Sequence, residues 1–251
     1  MPMTRTLPAA ALAACLAAGP VAALDLADMS EAERAAFGEA VRSYLLENPA
    51  VIFEAVDVFN AQQEELQSAN DGDLIAANSD AIFNDGVSWS GGNPDGDVTI
   101  VEFLDYACGF CKKAHPEVAE LVESDGNIRL VFKELPVLGE SSVLASRFAI
   151  ATLQVAGDDA YKAVHDAMMT FGGGLNEAAF TRIAEALELD AAPIIAGMDA
   201  PEVDAVLIAN AELAATLGIR GTPGFVMQDR MLRGYVPLEG MQEIVEDIRD
   251  N

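Results

Sequence analysis

The chain is 251 residues long with a formal net charge of -27, from 41 acidic against 14 basic side chains. A surface this acidic repels nucleic acid and anionic lipid, which argues against both as partners. The length suffices for one large domain, or one domain with an appendage, around a substantial core.

Residues 1–23 combine a basic Arg5, a short Ala/Leu-rich run from Leu7 to Ala18, and the small residues Val21-Ala22-Ala23. This layout predicts a secretory signal peptide cleaved after Ala23, and hence an exported, periplasmic protein. An alternative reads Leu12-Ala13-Ala14-Cys15 as a lipobox, with Cys15 as a lipidated N-terminus. Three cysteines occur in all, and cleavage leaves only Cys108 and Cys111. A pair so close staples almost nothing, so a working dithiol is expected rather than a structural bridge.

Apolar residues at helical spacing, Phe37, Val41, Tyr44 and Leu45, then Ile52, Val56 and Phe59, predict two helices. The break falls at Asn48-Pro49, with Asn48 as N-cap of the second helix. The polar run Gln62 to Asp73 reads as a linker, which makes residues 24–70 a helical extension. Its apolar face must either fold back on its own domain or meet the same element in a second copy of the chain, and the second copy is the expected occupant.

Residues 71–251 are expected to form the main domain. Ser88 to Asp97 is rich in turn residues, and Val98 to Leu104 is an apolar strand buried on both faces. Cys108-Gly109-Phe110-Cys111 opens a helix reaching about Ser124, kinked or interrupted near Pro116, and Ile128 to Leu135 is the next strand. Strand, helix, strand in this order predicts a parallel βαβ unit. Helical periodicity then holds over about 141–217, an all-helical insertion. A short hairpin from Gly224 to Tyr235 and an amphipathic helix from Pro237 to Arg249 close the chain.

At a helix start, backbone N–H groups and the helix dipole favour a thiolate on Cys108, which makes it the expected nucleophile. Cys111, one turn deeper, is the expected resolving thiol. Read instead as half a zinc site, the pair would need two further ligands, and the chain offers only His115 and His165 besides carboxylates. No metal site is therefore expected. His115 falls on the Cys111 side of its helix without a clear role, and His165 reads as a surface or packing residue.

The order of elements, with Val101-Glu102-Phe103-Leu104-Asp105-Tyr106 before the pair, Lys112-Lys113 and His115-Pro116 after it, Phe132-Lys133-Glu134-Leu135-Pro136 on the next strand and Gly221-Thr222-Pro223 late in the chain, resembles the DsbA family. That resemblance implies an α/β thioredoxin-like fold and a thiol–disulfide oxidoreductase with no cofactor beyond the Cys108–Cys111 redox couple. It further implies that Glu102 is a buried acid relaying the proton of the resolving cysteine, against the alternative of an idle edge carboxylate. Pro223 is implied to be a cis-proline facing the dithiol, with Thr222 beside the sulfurs, against that of an ordinary loop proline. Gly109 and Phe110, lacking the His found between the cysteines of the strongest oxidants, imply a less oxidising couple.

Tyr44-Leu45-Leu46-Glu47-Asn48-Pro49 and the helix after it resemble the N-terminal segment of ScsC proteins, which implies a homo-oligomer, specifically a trimer. The implied partners are unfolded or misfolded exported proteins and a membrane redox protein that recycles the dithiol. A shared cleft among several active sites would favour an isomerase or reductase over an oxidase. An alternative of another class is a binding protein, holding Cu(I) between soft thiolates or sheltering unfolded chains.

Overall fold

The computed structural model describes residues 29–250, so the expected signal segment and Cys15 lie outside the described residues. The chain divides between Asn60 and Ala61 into two units.

In the first unit, α1 (Glu31–Glu47) starts at a capping box in which Ser30 and Glu33 satisfy each other's backbone N–H groups. It ends at Asn48, whose backbone N–H and side-chain amide both donate to the Tyr44 carbonyl, at 2.8 and 3.0 Å. Asn48 therefore caps the end of α1, not the start of the next helix. None of the α1 side chains is buried. Phe37, Val41, Tyr44, Ile52, Phe53 and Phe59 all remain exposed.

Helix α2 runs unbroken over Ala50–Ala77. The stretch Gln62 to Asp73, expected as a linker, is helical instead. Its Gln, Glu, Leu and Ala residues are good helix formers, and the single Gly72 costs only about 1 kcal/mol. A short α3 (Ser79–Phe83) follows.

In the second unit a five-stranded sheet has the order β1-β3-β2-β4-β5. Strands β2 (Val98–Leu104) and β3 (Ile128–Glu134) pair in parallel, as the βαβ reading requires, and register Glu102 against Phe132. The remaining pairings, β1 (Ser90–Gly92) with β3, β2 with β4 (Gly224–Met227), and β4 with β5 (Arg230–Leu232), are antiparallel. Local sequence pattern predicts only turns where β1 lies. Three residues with two glycines carry too little periodicity to announce a strand, and β1 exists because the edge of β3 offers it hydrogen bonds.

Alternation splits the strands between two cores. Ile100, Leu104, Leu130, Phe132, Phe225 and Met227 point one way, with α4 (Gly109–Asp125) and the closing α10 (Leu238–Asp250) packed on that face. Val101, Phe103, Val131 and Val226 point the other way, where Ile75, Ile82 and Leu213 cover them. Parity puts Glu102 on the α4 side, which the two-sided apolarity of the strand concealed.

Between β3 and β4 lie α5 (Glu140–Ala156), α6 (Asp158–Thr170), α7 (Glu177–Ala186), α8 (Ala191–Gly197) and α9 (Pro201–Thr216). Pro193 sits in the first turn of α8, where a missing N–H is harmless. Likewise α4 continues through Pro116 to a left-handed Gly126 cap.

Candidate active site

The dithiol stands where β2 passes into α4, in a turn organised by one carboxylate. Asp105 is fully buried. Its Oδ1 accepts from the Ala107 N–H at 2.8 Å, and its Oδ2 from the N–H groups of Val137 and Leu138 at 2.8 and 3.1 Å. The turn presenting Cys108 is thereby tied to the loop after β3.

Cys108 is the N-cap of α4, with extended backbone angles of φ -76° and ψ 118°. Its Sγ occupies the place of a capping oxygen, accepting from the Cys111 N–H at 3.3 Å. Free helix N–H groups and the dipole both favour negative charge on that sulfur. On its other side Cys108 Sγ donates to the Thr222 carbonyl oxygen at 3.2 Å. The Thr222–Pro223 peptide bond is cis. Both cysteines are free thiols, Cys108 6% exposed and Cys111 fully buried.

Burial pushes the Cys111 thiol well above its ordinary range, and the fields of Glu102 and Cys108 add to the effect. Such a thiol needs a base nearby before it can attack. Glu102 is 2% exposed, and its Oε1 has no hydrogen-bond partner among the described residues. Burial, reinforced by the charge of Glu134, raises its carboxyl to about 8. It lines a cavity of about 250 Å³ with His115 and Phe132, roomy enough for water to carry a proton onward.

Glu134, on the same face of β3, is differently held. Tyr106 and Tyr161 donate to its Oε1 at 2.9 and 2.6 Å, and Ser146 to its Oε2 at 3.1 Å. Burial still raises it to about 7 against those three hydroxyls.

Around the sulfurs the surface is apolar. Phe110 is 61% exposed, its ring 6.0 Å from that of Tyr235, and Val137 and Leu138 are exposed as well. A cleft of about 360 Å³, lined by Arg220, Gly221, Thr222, Pro223 and Gly234, runs beside the cis peptide. A Cβ on Gly109 would meet nothing, so its contribution is an open approach to Cys108.

Of the residues singled out in the sequence, Cys108, Cys111, Thr222 and Pro223 come together around the sulfurs. Glu102 lies beneath them and acts on Cys111 through its field, whereas Gly109 and Phe110 form the outer rim. Asp105, Tyr106, Glu134 and Tyr161 carry positioning contacts that the sequence reading does not assign. The available signal was a carboxylate at the end of each apolar strand. Of the two readings of His165, packing holds and surface does not, the residue being 1% exposed.

Residues 99–246 match the DSBA-like thioredoxin domain, and residues 33–65 match the copper resistance protein ScsC N-terminal domain. Among solved structures the chain is similar to a thioredoxin-like oxidoreductase from Silicibacter pomeroyi DSS-3, with 42% identity and a TM-score of 0.65. That match covers 68% of this chain and 98% of the other. It is also similar to the catalytic domain of Proteus mirabilis ScsC, with 27% identity and a TM-score of 0.64, over 72% and 99% of the two chains. Among curated proteins it is 32% identical over 150 residues to the Na(+)/H(+) antiporter NhaA 1 of Salinispora arenicola (strain CNS-205), over 59% of this chain. The chain spans only 22% of the length of that relative. No helix among the described residues is long and apolar enough to cross a membrane.

Proposed function

Because this chain belongs to the DSBA-like thioredoxin-domain family, we propose that it is an exported, periplasmic thiol–disulfide oxidoreductase acting on disulfides of envelope proteins through Cys108 and Cys111. The observation that carries this reading is the Cys108 sulfur, capped by the Cys111 N–H and set against the Thr222 carbonyl oxygen.

The Cys108 thiolate attacks one sulfur of a substrate disulfide, forming a mixed disulfide and releasing the other substrate sulfur as a thiolate. Cys111 then gives its proton to Glu102 and attacks Cys108 Sγ. The Cys108–Cys111 disulfide forms, and the second substrate thiolate leaves. The two electrons lost by the dithiol reduce the substrate, and the reverse sequence oxidises it. An extended substrate segment lies along the cleft beside Thr222 and Pro223, and Phe110, Val137 and Leu138 offer apolar contact to an unfolded chain.

The apolar side chains left exposed on α1 and the first half of α2, within the ScsC-matched region, support assembly of several chains, a trimer by resemblance. Several dithiols held together suit isomerisation or reduction, which requires a membrane redox partner that keeps them reduced. Cu(I) held between the two thiolates is the weaker reading, because burial disfavours a resident Cys111 thiolate.

The deciding experiment is reactivation of a scrambled disulfide protein by wild type and by Cys108→Ala. Recovery with wild type alone is expected. Equal recovery with both would remove the proposed activity.

A further inference from the structure

The two histidines of this chain stand fifty residues apart in sequence. Folding of α4 and α6 into one unit makes them neighbours, with ring centroids 5.1 Å apart in an edge-to-face arrangement. Asp166, next to His165, places its Oδ1 3.3 Å from His115 Nε2. One ligand atom from each of His115, His165 and Asp166 lies within 4.8 Å of the other two.

The hydrogen bonds around His165 define which of its nitrogens is free. Its Nδ1 is 3.1 Å from the Tyr106 hydroxyl oxygen. Tyr106 donates its own proton to Glu134 Oε1 at 2.9 Å, so its oxygen is left to accept, and the imidazole hydrogen belongs on Nδ1. Nε2 is then a bare lone pair, buried and without a hydrogen-bond partner among the described residues. A buried acceptor without a donor is costly, and it asks for an occupant. An imidazole whose hydrogen is anchored by an acceptor, with its other nitrogen bare, is oriented as metal-binding histidines are.

We propose that His115, His165 and Asp166 form a binding site for one divalent transition-metal ion of the zinc and copper(II) class. Two imidazoles and one carboxylate suit such borderline ions, whereas calcium and magnesium prefer all-oxygen sites. Bonds of about 2.0–2.1 Å require the three ligand atoms to close to roughly 3.4 Å from one another. His115 and Asp166, the less buried members, can turn to supply that movement. The cavity beside His115 leaves space for water as a fourth ligand. Lys162 competes, since its Nζ holds both Asp166 oxygens at 2.7 and 2.6 Å.

The test uses the full chain carrying Cys108→Ser and Cys111→Ser, so that thiolates bind no metal. Zinc and copper(II) are titrated separately against a chromophoric chelator, and the copper form is read by electron paramagnetic resonance. One ion per chain with coupling to two nitrogens is expected. His115→Gln weakens binding at least tenfold and removes one nitrogen coupling, whereas Lys162→Met tightens binding severalfold. Affinity and nitrogen couplings unchanged in His115→Gln would overturn the site. Should His115→Gln lose its fold by circular dichroism, Lys162→Met decides alone, and an unchanged affinity there overturns it. Either failure leaves the dithiol chemistry untouched.

Discussion

Glu102 and Glu134 project from neighbouring parallel strands into the same core, yet three hydroxyls hold Glu134 while Glu102 keeps one oxygen bare. Burial raises both carboxyls, and like charge in a poorly solvated space adds to it, from Glu134 on Glu102 and from Asp105 on Glu134. The asymmetry separates their tasks. Glu134, bound on both oxygens, braces Tyr106 and α5 and α6, whereas the bare oxygen of Glu102 suits the proposed proton exchange with Cys111.

Glu102→Gln should therefore slow resolution of the mixed disulfide while leaving the first attack by Cys108 unchanged. In wild type the resolving step should accelerate as pH rises through about 8, where the Glu102 carboxyl ionises, and the variant should lose that rise. Stopped-flow measurement of both steps between pH 6 and about 9 checks it; an unchanged resolving rate would return Glu102 to a structural role.

The same residue makes a stability prediction of definite sign. Its folded-state value, about 8, lies above the ordinary 4.5, so the folded chain binds the proton more tightly than the unfolded chain. The associated stability is full below about pH 4.5 and is lost as pH rises through about 8. Glu102→Gln, which cannot ionise, should gain on wild type across that window, by several kcal/mol at most at its alkaline end. Urea denaturation of the reduced proteins at the two ends of the window measures it.

Lys133 is 1% exposed and points away from the dithiol face, with its Nζ 2.7 Å from Asp85 Oδ2. Removing the partner strands a buried ammonium, so Asp85→Ala should destabilise by about 3–5 kcal/mol. Replacing both, with Lys133→Met beside Asp85→Ala, should recover most of that loss. The comparison distinguishes a stranded charge from a lost loop contact.

Between the cysteines, neither Gly109 nor Phe110 offers a side-chain charge or hydrogen bond to Cys108. The couple should lie below the roughly -120 mV of the strongest oxidants of this kind. Phe110→His should raise it, because a protonated imidazole beside the sulfur stabilises the reduced form. Equilibration with glutathione buffers gives both potentials, and a wild-type value at the oxidising extreme would contradict the argument.

If the exposed apolar side chains of the N-terminal helices meet their counterparts in other chains, charge placed among them should separate the copies. Phe53→Asp with Phe59→Asp should bring the mass in light scattering from an oligomer's to a single chain's. Reactivation of a scrambled substrate should fall while oxidation of a simple dithiol peptide persists. A wild-type protein already of single-chain mass would remove the link between assembly and isomerisation.

Much of this was written in local pattern. The parallel βαβ unit, the helical insertion, the late hairpin and the position of Cys108 at a helix start all follow from periodicity, turn residues and a three-residue spacing. Cys111 lies one turn behind Cys108 by helix geometry alone. The tertiary structure decided whatever depends on strand parity and on pairs distant in sequence. A strand apolar on both faces does not reveal which way Glu102 points, since alternation carries no contrast there; only packing against α4 settles it. Edge strand β1 exists through its partner, and Gln62 to Asp73 is helical although its polarity suggested a linker. Nothing local relates Asp105 to Val137, Tyr106 to Glu134, or His115 to His165. Those contacts are made by elements that meet only when the sheet closes and the helices pack.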